Sequence, residues 1–167
     1  MVDFKQKEKY DINDLLEIMR LLRAPGGCPW DAQQTHMSIR KNLIEETYEV
    51  IEAIDKDDKE LMTEELGDLL MQVVFHAQME QEAGNFDFGD VTDGVCKKLI
   101  ERHPHVFGEV EVSGVGDVLN NWDAIKRRSK GQKKGSEPML SIPRELPALM
   151  RATKICLLYT SPSPRDR

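Results

Sequence analysis

Glu45, Glu46 and Glu49 stand in NLIEETYEVIEAI, and Glu65 and Asp68 stand in EELGDLLMQVVFHAQM. On a helix, residues three apart lie one turn apart on the same side. Each stretch therefore offers a carboxylate pair, Glu46 with Glu49 and Glu65 with Asp68. Two antiparallel helices carrying such pairs can converge four oxygen donors on one point. Hard divalent cations take oxygen ligands, and Mg²⁺ keeps several waters and meets substrate phosphates. The chemistry on offer is metal-assisted attack of water on a triphosphate.

Each stretch also has a plainer reading. Glu45, Glu46, Glu49 and Glu52 occupy the arc opposite Leu43, Ile44, Thr47, Val50, Ile51 and Ile54, as a solvated acidic face would. Yet like charges one turn apart repel, and the stretch holds no lysine or arginine to relieve them. Glu65 and Asp68 share their side of the helix with Leu61, Met62, Leu69, Gln72, His76 and Met79, where an unpaired carboxylate is costly. Buried ion bridges to Arg40 or Lys98 would satisfy them as a cation would. Gly67, between the two acids, costs ~1 kcal/mol relative to alanine; close helix approach or mere tolerance would explain it.

Other residues could serve such a site. Lys98 and Arg102 are one turn apart, as are Trp122 and Lys126. The cations could neutralise phosphate oxygens, Arg102 in bidentate fashion, although surface solubility and core packing account for the same residues. Trp30 and His36, in CPWDAQQTH, sit in a loop that could cover a nucleotide base; a packing anchor suits Trp30 equally well. His103 and His105 flank Pro104, and two histidines without a cysteine partner are weak evidence for a transition metal. His76 reads as a satisfied core residue.

The elements that must position these groups follow from periodicity. Ile12, Leu15, Leu16, Met19 and Leu22 recur at helical spacing, with Asp11 or Asn13 as cap. APGGCPWD breaks that helix. A second helix is expected over about 38–54 and a third over about 59–83, joined by the short polar turn DKDD, which makes them antiparallel neighbours. A fourth is expected over about 91–102, stopped by Pro104, and Asp117 should cap a fifth running through Trp122 and Lys126. HPHVFGEVEVSGVGD reads as irregular. VFGEVEV alternates weakly, but its glycine and its isolation argue against a sheet. The expected fold is all-α, an antiparallel bundle of about four to five helices. Its expected divisions are a domain over 1–130, a basic loop and short helical linker over 131–155, and an atypical, disordered tail over 156–167.

Composition narrows the function. The 167 residues are 40% hydrophobic and 32% charged, enough for one domain with a core. A net charge of -7 argues against a protein that coats nucleic acid, and makes a cation desirable for handling phosphates. Three scattered cysteines with no CxxC spacing indicate neither a disulfide framework nor a zinc knuckle. No run approaches the ~18 apolar residues of a membrane span. The expected setting is a reducing cytoplasm, with neither nucleic acid nor membrane as partner.

Taken together, residues 10 to 155 closely resemble the MazG nucleoside triphosphate pyrophosphohydrolases. The family's EExxE motif stands as Glu45-Glu46-Thr47-Tyr48-Glu49 and its ExxD motif as Glu65-Leu66-Gly67-Asp68. GGCPWDAQQTH, ELGDLLMQVVFHAQ, ERHPHVFG and LPALMRATKI look like the family too, whereas CLLYTSPSPRDR does not. Many members resemble a tandem of two modules; one EExxE/ExxD set stands here. The resemblance implies a MazG-like bundle that forms a homodimer or higher homo-oligomer and binds Mg²⁺, with Mn²⁺ as a substitute. It implies hydrolysis of NTPs and dNTPs to the monophosphate and pyrophosphate, a house-cleaning of the nucleotide pool. Glu46, Glu49, Glu65 and Asp68 would hold the metal, and Glu45 would orient the attacking water or a second ion. Lys98, Arg102, Trp122 and Lys126 match positions associated with substrate. Two other readings stay open: a catalytically weak module for dimerisation or nucleotide binding, and a pyrophosphohydrolase for a modified nucleotide such as phosphoribosyl-ATP.

Overall fold

The computed structural model describes residues 4–129 and 142–160, without the side chains of 120, 123, 126–129 and 158–160. Among the described residues there are helices and no strand. The chain divides into two compact units, Met1–Val95 and Cys96–Arg167.

In the first unit, α1 (Ile12–Arg23) starts where the sequence can satisfy its free N–H groups. Asp11 accepts from the N–H groups of Asn13 and Asp14, and Asp14 accepts in return from the N–H of Asp11. The chain then turns tightly. A Cβ on Gly27 would stand 2.2 Å from the Leu21 carbonyl oxygen, so only glycine fits there. The break expected over APGGCPWD holds a short helix, α2 (Pro29–Gln33), with Pro29 in the first turn, where its missing N–H costs nothing. Thr35 and Ser38 form the reciprocal cap of α3 (His36–Asp55).

Lys56, Asp57 and Asp58 make the turn to α4 (Lys59–Glu82); Asp57 adopts φ 52° and Asp58 caps α4 by accepting from Glu60 and Leu61. So short a turn folds α4 back along α3, and these two helices form the main packed pair of the unit. The core is Met19, Ile39, Val74, Phe75 and Met79, with Leu15, Leu16, Met71 and Phe88 packed against it. The Arg23 side chain is only 7% exposed. Its guanidinium bridges Glu82 at 2.8 Å, donates to the Asp31 carbonyl at 2.6 Å and lies 5.3 Å from the Phe75 ring centroid. One cation thus ties α1, α2 and α4 together.

The inward face of α3 is not the apolar arc read from the sequence. Ile39 and Ala53 are buried and Leu43, Glu46 and Val50 half-buried, while Ile44, Ile51 and Ile54 are exposed. Ile39, Glu46 and Ala53 are spaced by seven, a single stripe along the helix, so Glu46 belongs to the face that meets α4. A Cβ on Gly67 would meet nothing within 4 Å, which removes close helix approach as its reason within the protomer.

Helix α5 (Phe88–Arg102) begins in the first unit and ends in the second. Within the second unit, the stretch expected to be irregular contains a single helical turn, α6 (Pro104–Phe107). The next helix, α7 (Val115–Ser129), begins before Asp117, whose carboxylate takes hydrogen bonds from the N–H and hydroxyl of Ser113. Asp117 therefore sits in the first turn rather than at the cap. Helix α8 (Ala148–Thr160) continues through Cys156, where a disordered tail was expected. The run ALMRATKICLLYT is rich in strong helix formers, which favours continuation up to the Ser-Pro repeats. Residues 131–141 of the expected basic loop and 161–167 of the expected tail lie outside the described residues. None of the described helices is long and apolar enough to cross a membrane.

Candidate active site

Antiparallel pairing of α3 and α4 decides which side chains meet. His36, at the start of α3, contacts His76 and Glu80 late in α4. Ten to thirteen residues further along α3, Glu46 and Glu49 reach Glu65, early in α4. One carboxylate oxygen from each of Glu46, Glu49 and Glu65 lies within 4.8 Å of the others. Asp68 stands outside that trio, and its negative charge acts on both Glu46 and Glu65. Glu45 is exposed beside them.

The electrostatics are those of a site short of positive charge. Burial pushes the Glu46 carboxyl above the ordinary glutamate range, and the charges of Asp68, Glu49 and Glu65, with a hydrogen bond to Glu49, push it further. Glu65 is raised likewise, by burial first and then by Glu49, Glu64, Asp68 and Glu52. Among the described residues of this unit, no lysine, arginine or histidine forms an ion pair with any of these five acids. An ion bridge from Arg40 is thus absent, and Lys98 belongs to the other unit. Carboxylates crowded to this degree without a cation fit a hard divalent ion. The donor set, all oxygen, suits Mg²⁺ or Mn²⁺ better than zinc.

Trp30 is 60% exposed on α2, and its carbonyl accepts from Gln34. The ring of His36 is committed to α4. Its Nε2 lies 2.7 Å from Glu80 Oε1 and its Nδ1 2.7 Å from His76 Nδ1, with the two imidazole planes 4° apart. Burial and the neighbouring His36 hold His76 below the usual histidine range. One turn before His76 on α4, and one turn after Asp68, Gln72 is 4% exposed with no hydrogen-bond partner for its Oε1. Sequence reasoning left His76 in the core and did not single out Glu80. The pairing of EETYE with ELGD already implied that the start of α3 faces the end of α4, which is the signal that would have found them.

In the second unit, Lys98 is exposed and Arg102 half-buried, one turn apart near the end of α5. The Nε of Arg102 is buried without a partner among the described residues. Trp122, half-buried on α7, meets the His103 ring edge-on at 5.2 Å between centroids. Lys126 follows one turn later, its side chain outside the described residues. His103 Nδ1 lies 2.6 Å from the Leu99 carbonyl, the contact of a helix end rather than of a metal ligand.

Residues 34–107 match the family model described as the MazG nucleotide pyrophosphohydrolase domain. That span holds Glu45, Glu46, Glu49, Glu65, Asp68 and both histidines of the α3–α4 contact. Among curated proteins, the chain is 50% identical over 145 residues to the nucleoside triphosphate pyrophosphohydrolase of Escherichia coli K12, covering 86% of this chain and 55% of that protein. It is 49% identical over 142 residues to the nucleoside triphosphate pyrophosphohydrolase/pyrophosphatase MazG of Thermotoga maritima, covering 85% and 54%. It is 47% identical over 148 residues to the uncharacterized protein YabN of Bacillus subtilis, covering 87% of this chain and 30% of that one. The chain thus spans about a third to just over half the length of these relatives. Among solved structures, a mazG-related protein from Thermotoga maritima superposes with a TM-score of 0.59 at 29% identity, covering 70% of this chain and 99% of that one.

Proposed function

We propose, from the match of residues 34–107 to the MazG nucleotide pyrophosphohydrolase domain, that this chain hydrolyses NTPs and dNTPs to nucleoside monophosphate and pyrophosphate. The observation that carries the reading is the convergence of Glu46, Glu49 and Glu65 within 4.8 Å, under the field of Asp68. These four acids would hold Mg²⁺, or Mn²⁺ in its place. When bound, the cation supplies charge neutralisation for triphosphate oxygens and for the leaving pyrophosphate.

The chain's own groups do the rest. Glu45, exposed beside the cage, orients the attacking water and accepts its proton. A bond forms between the water oxygen and phosphorus at the α–β linkage, the P–O bond to the leaving group breaks, and pyrophosphate departs with the bridging oxygen. Trp30 and His36 lie on the nucleoside's side of the cage. The half-buried setting of Glu46 and Glu65 limits water around the cage, so each charge contact there is stronger than at an open surface.

The same reading includes a homodimer. Ile44, Tyr48 and Ile51 on α3, and Leu66 and Leu70 on α4, are each 39–50% exposed, a larger apolar stripe than a lone protomer needs to show water. Cys28 and Cys96 are free thiols, which suits a reducing cytoplasm. House-cleaning breadth across bases is the expected role.

The test is pyrophosphate release from a panel of NTPs, dNTPs and phosphoribosyl-ATP, ranked by kcat/KM with and without EDTA. Release from ordinary triphosphates that chelation abolishes supports the proposal. Release that survives chelation would sink the metal mechanism, and preference for phosphoribosyl-ATP would reassign the substrate. No release from a chain that still dimerises would favour the non-catalytic module.

A further inference from the structure

A cleft of about 350 Å³ opens in the first unit between α3, α4 and the start of α5. Its apolar walls include Leu43, Val73 and Phe86, and His36, His76 and Glu80 supply its polar rim. That volume falls in the range of small-ligand sites, and an apolar wall with a few polar groups is their usual lining. The cleft adjoins the acids. Leu43 lies one turn from Glu46, and at ~1.5 Å rise per residue the cleft runs from ~4.5 Å to ~15 Å along α3 from that acid. A triphosphate held at the carboxylates would extend its sugar and base over such a stretch.

The polar rim is tied together by hydrogen bonds. Glu80 Oε1 accepts from His36 Nε2 at 2.7 Å. The 2.7 Å contact between His36 Nδ1 and His76 Nδ1 occupies one ring nitrogen of each histidine. His76 is thereby left with Nε2 as the polar atom it can offer a ligand. Between rim and acids stands Gln72, with its buried, unpartnered Oε1. A buried acceptor with no protein donor is a place where a ligand's hydroxyl would be accommodated.

We propose that this cleft receives the nucleobase of the triphosphate, and that His76, held by His36 and Glu80, sets the preference among bases through a hydrogen bond between its Nε2 and the base edge. The proposal rests on the triphosphate reading above and adds the part of the site that reads the base. His76 contacts substrate directly, whereas His36 and Glu80 position it.

Binding of α,β-methylene nucleoside triphosphates, measured calorimetrically with Mg²⁺ for the adenosine, cytidine, guanosine and uridine forms, tests this independently of turnover. Val73 is 36% exposed, so Val73→Trp can fill the cleft without displacing core. It should weaken all four nucleotides at least tenfold while leaving inorganic tripolyphosphate unchanged, with circular dichroism confirming the fold. His76→Leu should shift the affinity ratios between bases at least fivefold, because the hydrogen-bonding groups sit at different places on each ring. Unchanged nucleotide affinity in Val73→Trp would overturn the cleft assignment, as would absence of nucleotide binding to the unaltered chain. An equal loss for all four bases in His76→Leu would overturn the selecting role. Nucleotide binding without pyrophosphate release would count against the hydrolase reading alone, and the two variants would still decide the base site.

Discussion

At the residue scale, carboxylates share two opposite fates in this chain. Asp14 and Glu82 are drawn below their ordinary ranges by Lys7 and Arg23, the partners that hydrogen-bond to them. Glu46 and Glu65 are raised, because burial and other acids surround them. The first kind stabilises the fold; the second is the crowding that the proposed cation would relieve. Glu49→Gln or Asp68→Asn should lower pyrophosphate release by roughly 10²-fold or more, the scale seen when a group that stabilises transition-state charge is removed. Mg²⁺ at a hundredfold excess over its Kd should stabilise the unaltered chain by ~2.7 kcal/mol in chemical denaturation. Glu49→Gln should erase that gain, and a full Mg²⁺ response from this variant would remove Glu49 from the ligand set.

At the element scale, Arg23 decides how α1 and α2 sit on α4. Its guanidinium is nearly buried while Glu82 is 39% exposed, so part of the pair's attraction is screened. Arg23→Ala should therefore cost about 2 kcal/mol, below the range for a fully buried pair, as read from urea unfolding. The pH dependence follows from the direction of the Glu82 shift. Its folded value lies below the ordinary 4.5, so the unfolded chain binds that proton more readily. The bridge contributes fully above pH 4.5 and is lost as pH falls through the folded value. Glu82→Gln should flatten that acid limb of the stability profile; an unchanged limb would mean the bridge contributes nothing. Gly67→Ala, on a helix surface open within the protomer, should add up to ~1 kcal/mol. A loss instead would mean that a second copy packs against that turn.

At the scale of the whole molecule, the exposed stripe on α3 and α4 bears on assembly. Ile51→Asp with Leu70→Asp should convert the proposed homodimer to a monomer in light scattering coupled to size exclusion, since burying two added charges is costly. A single protomer mass for the unaltered chain would contradict the homodimer. Much of the architecture was legible beforehand. Asp11, one of the two residues expected to cap the first helix, does cap it, and DKDD left only a turn between α3 and α4. The short helices α2 and α6 were not legible, because one to two turns carry too little periodicity to stand out from a Pro- and Gly-containing stretch.

The sequence by itself determined the helical class, the antiparallel pair and the two acidic motifs, because spacing along a helix fixes which side chains share a side. It could not say which arc of α3 faces inward. Apolar residues occupy more of that helix than one interface can cover, and only packing against α4 turned Glu46 inward and left Ile44 and Ile51 outside. The tertiary structure alone also brought His36 to His76 and Glu80, forty or more residues apart in the chain. A single histidine carries no periodic signal; its chemistry depends on what the register of two long helices sets beside it.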